Sequence, residues 1–253
     1  MKRQRLDLLV VAAGLAESRE KAQRLILAGE VLVNDVPAGK PGHEYPTDAV
    51  LRVRHPEPFV SRGGLKLQHA FETFPELSAE GKVCIDVGAS TGGFTDCLLQ
   101  HGAAHVYAVD VGHSLLHPRI AADPRVTVLD GVNARAMTRD TLPADAPPIT
   151  LAVTDCSFIS LKLILPAIAR VVAPDAQIVA LIKPQFEAGR EQVGKGGVVR
   201  DPAVHRQVVD EILGVARETL GWEVLGTATS PIRGPAGNVE FLGFFRGERG
   251  RAG

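Results

Sequence analysis

The chain has 253 residues, of which 45% are hydrophobic, and a formal net charge of −1. It contains no run of about 18 apolar residues, so neither a transmembrane helix nor membrane association is expected, and no signal peptide is expected. The three cysteines, Cys84, Cys97 and Cys156, are too few and too widely spaced for a disulfide framework or a zinc site. They favour a cytoplasmic protein without a metal.

Residues 1–57 are expected to form a small α+β domain that binds RNA. Helical periodicity covers residues 6–15, Ser18 is suited to capping a second helix, and strands are predicted at 31–33 and 49–53. Basic residues cluster here and just beyond, at Lys2, Arg3, Arg5, Arg19, Lys21, Arg24, Arg52, Arg54, Arg62 and Lys66. Such clusters suit the phosphates of a nucleic acid, although any one of them could equally be a solvated helix face.

A linker is expected at 58–63, after a proline-containing stretch, and a larger domain at 64–253. Helical character resumes at 64–74. Strands are then predicted at 82–87, 105–110, 125–129, 149–154, 177–183, 222–229 and 239–245, with helices at 93–100, 114–122, 161–172 and 202–220. The alternation predicts an α/β fold with a doubly wound, Rossmann-like parallel sheet, and the final pair of strands predicts an antiparallel edge.

A glycine-rich loop follows the first strand of this larger domain. Asp86 ends the strand, and Gly88, Gly92 and Gly93 give the spacing G-x-x-x-G-G, which differs from the dinucleotide motif G-x-G-x-x-G. Glycines allow a ligand close to the backbone, and the following helix offers free N–H groups. Because an acidic residue before the loop would repel a pyrophosphate, the pattern favours the cationic cofactor S-adenosylmethionine over NAD.

Charged residues also lie at the ends of three further predicted strands, and two more lie elsewhere in the larger domain. Asp110 ends the second strand, where a carboxylate can accept both ribose hydroxyls of a nucleoside cofactor, or can simply cap a helix. Asp155 and Lys183 end two adjacent apolar strands, and a salt bridge between them is the structural alternative. Lys66 and Glu240 would complete the group, unless Glu240 points outward from its edge strand. A buried lysine near another cation can serve as a base towards a ribose hydroxyl.

The residues quoted above, together with several longer segments, closely resemble the TlyA family of bacterial rRNA ribose 2′-O-methyltransferases, also known as haemolysin A. The resemblance covers nearly the whole chain. Its strongest segments are Ala16–Arg19, Val60–Leu67, Asp86–Leu99, Ser157–Leu161 and Lys183–Asp201. It implies an N-terminal RNA-binding domain like that of a small-subunit ribosomal protein, followed by a methyltransferase domain of the FtsJ/RrmJ type.

The resemblance also implies roles for individual residues. The catalytic tetrad maps onto Lys66, Asp155, Lys183 and Glu240, with Lys183 positioning and deprotonating the 2′-hydroxyl. The residues expected at S-adenosylmethionine are Asp86, Gly88, Ala89, Ser90, Gly92, Gly93, Phe94, Asp110, Asp130, Asn133 and Asp155. Those expected at RNA are Arg3, Arg5, Arg19, Lys21, Arg24 and Arg62. The chain departs from the family pattern after Asp110, where it reads Gly112-His113-Ser114-Leu115, and Pro118 shortens or delays the next helix.

The expected function is therefore methylation of a ribose 2′-hydroxyl, of a cytidine, in ribosomal RNA or ribosomal subunits. Two alternatives come from other classes of protein. A non-catalytic RNA-binding assembly factor would not need the four charged residues of the tetrad, and a membrane-active haemolysin would need a spanning or strongly amphipathic cationic segment, which the sequence lacks.

Overall fold

The structure is a computed structural model that describes residues 2–54 and 57–247 of the chain. It divides into two compact units, Met1–Pro58 and Phe59–Gly253. Among the described residues, every helix is too short or too polar to span a lipid bilayer.

The first unit is a small α+β fold. Its elements are β1 (Arg3–Arg5), α1 (Leu6–Ala12), α2 (Arg19–Leu27), β2 (Val31–Val33), β3 (Val36–Pro37), β4 (Glu44–Pro46) and β5 (Leu51–Val53). Strands β3, β2 and β5 form one antiparallel sheet and β1 pairs with β4. Ser18 caps α2 as predicted, because its hydroxyl accepts a hydrogen bond from the backbone N–H of Lys21. Strands β1, β3 and β4 were not predicted, since two or three residues are too few to show an alternating pattern.

The second unit carries a seven-stranded sheet with helices on both faces. Its elements are α3 (Gly63–Thr73), β6 (Val83–Val87), α4 (Gly93–Gln100), β7 (His105–Val109), α5 (Pro118–Ala121), β8 (Val126–Leu129), β9 (Ile149–Thr154), α6 (Leu161–Ala169), β10 (Val172–Ile182), α7 (Pro184–Glu187), α8 (Pro202–Gly214), β11 (Glu223–Thr229) and β12 (Phe241–Arg246). The strand order is β11-β12-β10-β9-β6-β7-β8. The doubly wound sheet with an antiparallel last strand is thus confirmed.

The position of the last strand corrects one expectation. Strand β12 lies inside the sheet, paired on one side with β10 and on the other with β11, so β11 is the edge strand. Glu240 comes just before β12 and is not part of it. The apolar sequence of β12 reflects this interior place, since a strand covered on both faces and both edges has no polar side to present.

The predicted helix at 114–122 is also wrong in extent. Only Pro118–Ala121 is helical, because the proline ring is tolerated in the first turn and excludes the preceding residues from the helix. The predicted helix at 202–220 is α-helical only as far as Gly214 and then continues as a π-helical turn.

Two apolar layers enclose the sheet. On one face, Ile164 and Ile168 of α6 and Val208 of α8 are buried against strand residues such as Ile85. On the other face, helices α3 and α4 are buried against residues that include Cys84, which is next to Ile85 and points the opposite way. The carboxyl ends of the parallel strands therefore meet at one rim, and the loops that follow them build the site.

Candidate active site

A cleft of about 610 Å³ opens at this rim of the sheet. It is bounded by the chain before α3, the glycine loop after β6 and the segments after β9 and β10, with a further wall from the loop before β12. Its lining includes Ser61, Arg62, Lys66, Gly88, Ala89, Ser90, Gly93, Phe94, Asp155, Ser157, Phe158, Lys183, Phe186, Gly196, Gly197, Arg233, Asn238 and Glu240.

Four charged side chains form a continuous chain of ion pairs at this cleft. Glu240 Oε2 lies 2.7 Å from Lys66 Nζ, and Lys66 Nζ lies 3.4 Å from Asp155 Oδ2. Asp155 Oδ1 in turn lies 2.5 Å from Lys183 Nζ. The structure thus brings together all four residues of the expected tetrad, although they come from four distant parts of the sequence.

Burial makes this cluster costly unless its charges balance. Lys66, Lys183 and Glu240 are 7%, 6% and 1% exposed, and Asp155 is half-buried. Two ammonium groups and two carboxylates give a formal charge of zero, so each buried charge has an opposite charge in contact. A neutral arrangement of this kind can take up or release a proton at one member without leaving an isolated buried ion.

Lys183 makes two further contacts that the sequence did not indicate. Its Nζ donates a hydrogen bond of 2.7 Å to Ser157 Oγ and one of 3.2 Å to the backbone carbonyl of Asp155. It also lies 5.9 Å from the centre of the Phe186 ring. A serine three residues after a strand carries no distinctive pattern, so only the folded turn after β9 reveals this contact.

The glycine loop adopts backbone conformations that side chains disfavour. Gly88 and Gly92 have φ of 84° and 92°, and Ser90 has φ of 49°. A Cβ at Gly88 would lie 3.0 Å from Cys156 Sγ, and one at Gly93 would lie 2.3 Å from Ser61 Oγ. The left-handed backbone at Gly88 and the close packing at Gly93 therefore already require glycine, before any ligand is considered.

Asp86 is the most deeply buried acid at the loop. Its Oδ2 accepts a hydrogen bond of 2.7 Å from Thr95 Oγ1, and its Oδ1 is buried with no hydrogen-bond partner among residues 2–54 and 57–247. Burial raises the pKa of the Asp86 carboxyl to about 7. An unused, buried acceptor beside a ligand cleft fits a group that donates a hydrogen bond or carries positive charge.

Asp110 ties the glycine loop to the segment after β7. Its two carboxylate oxygens accept 2.8 Å hydrogen bonds from the backbone N–H groups of Ser90 and Gly112. In the same way, Asp130 accepts one from the N–H of Ser114, and Asn133 caps a short 3₁₀ turn by accepting one from Arg135. The cleft is lined by five of the predicted loop residues and Asp155, whereas its lining does not include Asp86, Gly92, Asp110, Asp130 and Asn133.

Comparison with known proteins shows which family the chain belongs to. Residues 59–246 match the FtsJ-like methyltransferase family and residues 4–51 match the S4 domain. The chain is 48% identical over 242 residues to a Bacillus subtilis protein provisionally named rRNA methyltransferase YqxC, covering 95% of this chain and 85% of that one. It is 44% identical over 255 residues to the 16S/23S rRNA (cytidine-2′-O)-methyltransferase TlyA of Mycobacterium tuberculosis, covering 99% and 92%. This chain belongs to the TlyA/hemolysin A family of FtsJ-like methyltransferases.

A solved structure shares the architecture of this TlyA-family chain. A Streptococcus thermophilus protein provisionally named a hemolysin is 42% identical and superposes with a TM-score of 0.75, covering 98% of this chain and 90% of that one. Sequence and fold thus agree on the family along nearly the whole length.

In the S4 domain of this TlyA-family member, a buried carboxylate organises two of the predicted RNA-binding arginines. Asp7 is fully buried and accepts hydrogen bonds from Arg5, at 2.9 and 3.1 Å, and from Arg19 and Gln23, each at 2.9 Å. The hydrogen bonds from Arg5 hold the pKa of Asp7 well below its usual range. The side chains of Arg5 and Arg19 are about half exposed, so they can meet a phosphate while Asp7 fixes their positions.

The other predicted RNA-binding residues are distributed differently. Lys21 pairs with Glu57 at 2.5 Å, and Arg3 donates a hydrogen bond of 2.5 Å to the backbone carbonyl of Glu44. Arg24 is exposed on α2. Arg62 belongs to the second unit, where it is exposed and lines the cleft.

An exposed aromatic residue stands at the rim of the cleft. Phe158 is 90% exposed and has φ of 64°, a left-handed conformation that is rare outside glycine. Its ring centroid lies 5.1 Å from that of Phe186. Sequence reasoning did not select Phe158, since a single phenylalanine near a strand end normally belongs to the core.

Proposed function

We propose that the chain transfers a methyl group from S-adenosylmethionine to the 2′-hydroxyl of a cytidine ribose in ribosomal RNA. The observation that carries this proposal is the buried ion-pair chain of Glu240, Lys66, Asp155 and Lys183 at the cleft. The M. tuberculosis relative, named a cytidine-2′-O-methyltransferase of 16S and 23S rRNA, supports the choice of nucleotide and substrate.

Lys183 is the residue we assign to the reacting hydroxyl. A ribose 2′-hydroxyl is a weak nucleophile, so it must be oriented and must lose its proton as it attacks. The Nζ of Lys183 lies at the cleft, and in its neutral form it would hold the hydroxyl and take that proton. Asp155 balances the resulting ammonium, which brings the net charge of the cluster to zero, while Lys66 and Glu240 keep the Asp155 carboxylate oriented.

The residues around the glycine loop fit S-adenosylmethionine. This cofactor, when bound, supplies an electrophilic methyl group on a positively charged sulfur. The unused buried oxygen of Asp86 suits the cationic end of such a molecule, and Gly88, Ala89 and Ser90 offer backbone at the cleft. We assign Asp110, Asp130 and Asn133 to the nucleoside end, where Asp110 also fixes the loop through Ser90. Binding both reactants beside Lys183 would supply much of the rate, since in-line attack depends on alignment.

We assign recognition of rRNA to the S4 domain, within residues 1–57, and catalysis to residues 64–253, with the linker at 58–63. The basic side chains Arg3, Arg5, Arg19, Lys21 and Arg24 would contact the phosphate backbone, and Arg62 would do so beside the cleft. Structured RNA is the expected target, in free rRNA or ribosomal subunits, and the place of action is the cytoplasm.

The proposal is tested by methyl transfer from labelled S-adenosylmethionine to unmodified ribosomal subunits and naked rRNA, with wild type and Lys183→Ala compared. Lys162→Ala is the matched control, because Lys162 is an exposed lysine paired with Glu211 at 2.6 Å. We expect label in rRNA from wild type and the control, at a ribose that resists alkaline cleavage, and a loss of at least about 100-fold with Lys183→Ala. Cofactor binding without transfer to any of these RNAs would instead support the RNA-binding assembly factor.

A further inference from the structure

The turn that follows β9 is built in a strained way that packing does not explain. Phe158 adopts its left-handed backbone conformation while 90% exposed, so burial of its ring does not offset the strain. Such a conformation is strained and persists where the surrounding structure demands it. At the start of the turn, the backbone of Cys156 lies so close to Gly88 that a Cβ there would be 3.2 Å from Cys156 Cα.

This turn fixes the position of the Ser157 hydroxyl. Ser157 is exposed at the cleft, and its Oγ lies 2.7 Å from Lys183 Nζ as the acceptor of a hydrogen bond. The other polar contacts of Nζ in the described chain both belong to Asp155, one to its carboxylate and one to its carbonyl. Ser157 is thus the one residue other than Asp155 that gives Nζ a polar contact in the described chain, and it lines the cleft.

We propose that Ser157 is a positioning residue for methyl transfer, holding Nζ of Lys183 aimed at the ribose hydroxyl. This inference rests on the proposed function. A lysine has four rotatable bonds in its side chain, so contacts to one residue alone, here the carboxylate and carbonyl of Asp155, leave its nitrogen free to swing about that residue. A third acceptor on a different residue fixes the direction of the nitrogen, which matters because misplacement of a reacting group by about 1 Å can cost 100-fold in rate.

The test compares wild type, Ser157→Ala and Ser157→Thr in single-turnover methyl transfer to rRNA across pH, with cofactor affinity measured by calorimetry. Ser78→Ala is the control. Ser78 is also an exposed serine, and its hydroxyl accepts a hydrogen bond from the backbone N–H of Glu80. We expect Ser157→Ala to bind S-adenosylmethionine as wild type does and to transfer methyl about 10- to 100-fold more slowly at the plateau. Ser157→Thr, which keeps the hydroxyl, should restore the rate.

Each other outcome counts against the inference. A plateau rate equal to wild type, or a slow variant that threonine does not rescue, would show that Ser157 does not position Lys183. Wild type that binds the cofactor and transfers no methyl at any pH would remove the proposed function, and this inference with it.

Discussion

Replacing Glu240 by glutamine would test whether the ion-pair chain is truly shielded from water. Glu240 is 1% exposed and lies 2.7 Å from Lys66 Nζ. The amide keeps the shape of the side chain and removes its charge, so the cluster changes from neutral to +1. Removing one partner of a buried pair costs about 3–5 kcal/mol. We expect Glu240→Gln to lower the free energy of unfolding by about 3 kcal/mol. This is the lower end of that range, because Asp155 still faces Lys66 at 3.4 Å.

An exposed ion pair provides the matched control. Glu76 also lies 2.7 Å from its partner, Arg246, but its side chain is 64% exposed. Glu76→Gln should therefore cost less than about 1 kcal/mol. Both variants are measured by urea unfolding of the whole chain. The comparison is valid if the slope of the unfolding free energy against urea concentration equals that of wild type. If Glu240→Gln costs no more than Glu76→Gln, water reaches Lys66, and the argument that burial forces the four charges to balance is refuted.

Two further predictions concern buried carboxylates. Asp7→Asn should lower stability at pH 7 by about 2 kcal/mol, and the difference from wild type should shrink as pH falls into the acid range, because a carboxyl with a lowered pKa stabilises the fold only while ionised. A difference constant with pH in urea unfolding would contradict this. Asp86→Asn should stabilise the cofactor-free chain at pH 8 but not at pH 4, since the raised pKa of Asp86 means that its ionisation destabilises the fold as pH rises towards 7. It should also weaken S-adenosylmethionine binding in calorimetry, and equal stability at both pH values would count against the assignment.

The sequence was most informative where one strand end carries one charged residue. Asp155 and Lys183 each follow an apolar strand, and the parallel sheet places both at the same rim, 2.5 Å apart. Lys66 and Glu240 required the family resemblance as well, because a lysine inside a helix and a glutamate before a strand have no distinctive local pattern. The interior place of β12 could not be predicted, since strand order depends on pairing between distant segments.

Other features depended on details that short sequence patterns do not contain. Pro118 indicated that the helix after Asp110 would be short or late, but not that it would be limited to the four residues Pro118–Ala121. Asp7 looks like an ordinary acid near a helix start, and only the fold shows that it is buried beneath Arg5 and Arg19. Ser157 became visible only through the strained turn that carries it to Lys183.

Under the proposed mechanism, the wide separation of the four charged residues also makes methyl-transfer activity a measure of folding. Residues 66, 155, 183 and 240 meet only when α3 is docked and β9, β10 and β12 are paired, so a partly folded or proteolytically nicked chain would carry an incomplete cluster. Such a molecule would transfer no methyl group to RNA at all, instead of transferring it slowly. Specific activity therefore reports the fraction of a preparation in which the whole sheet has closed, a quality measure that spectroscopic signals averaged over all helices and strands do not supply.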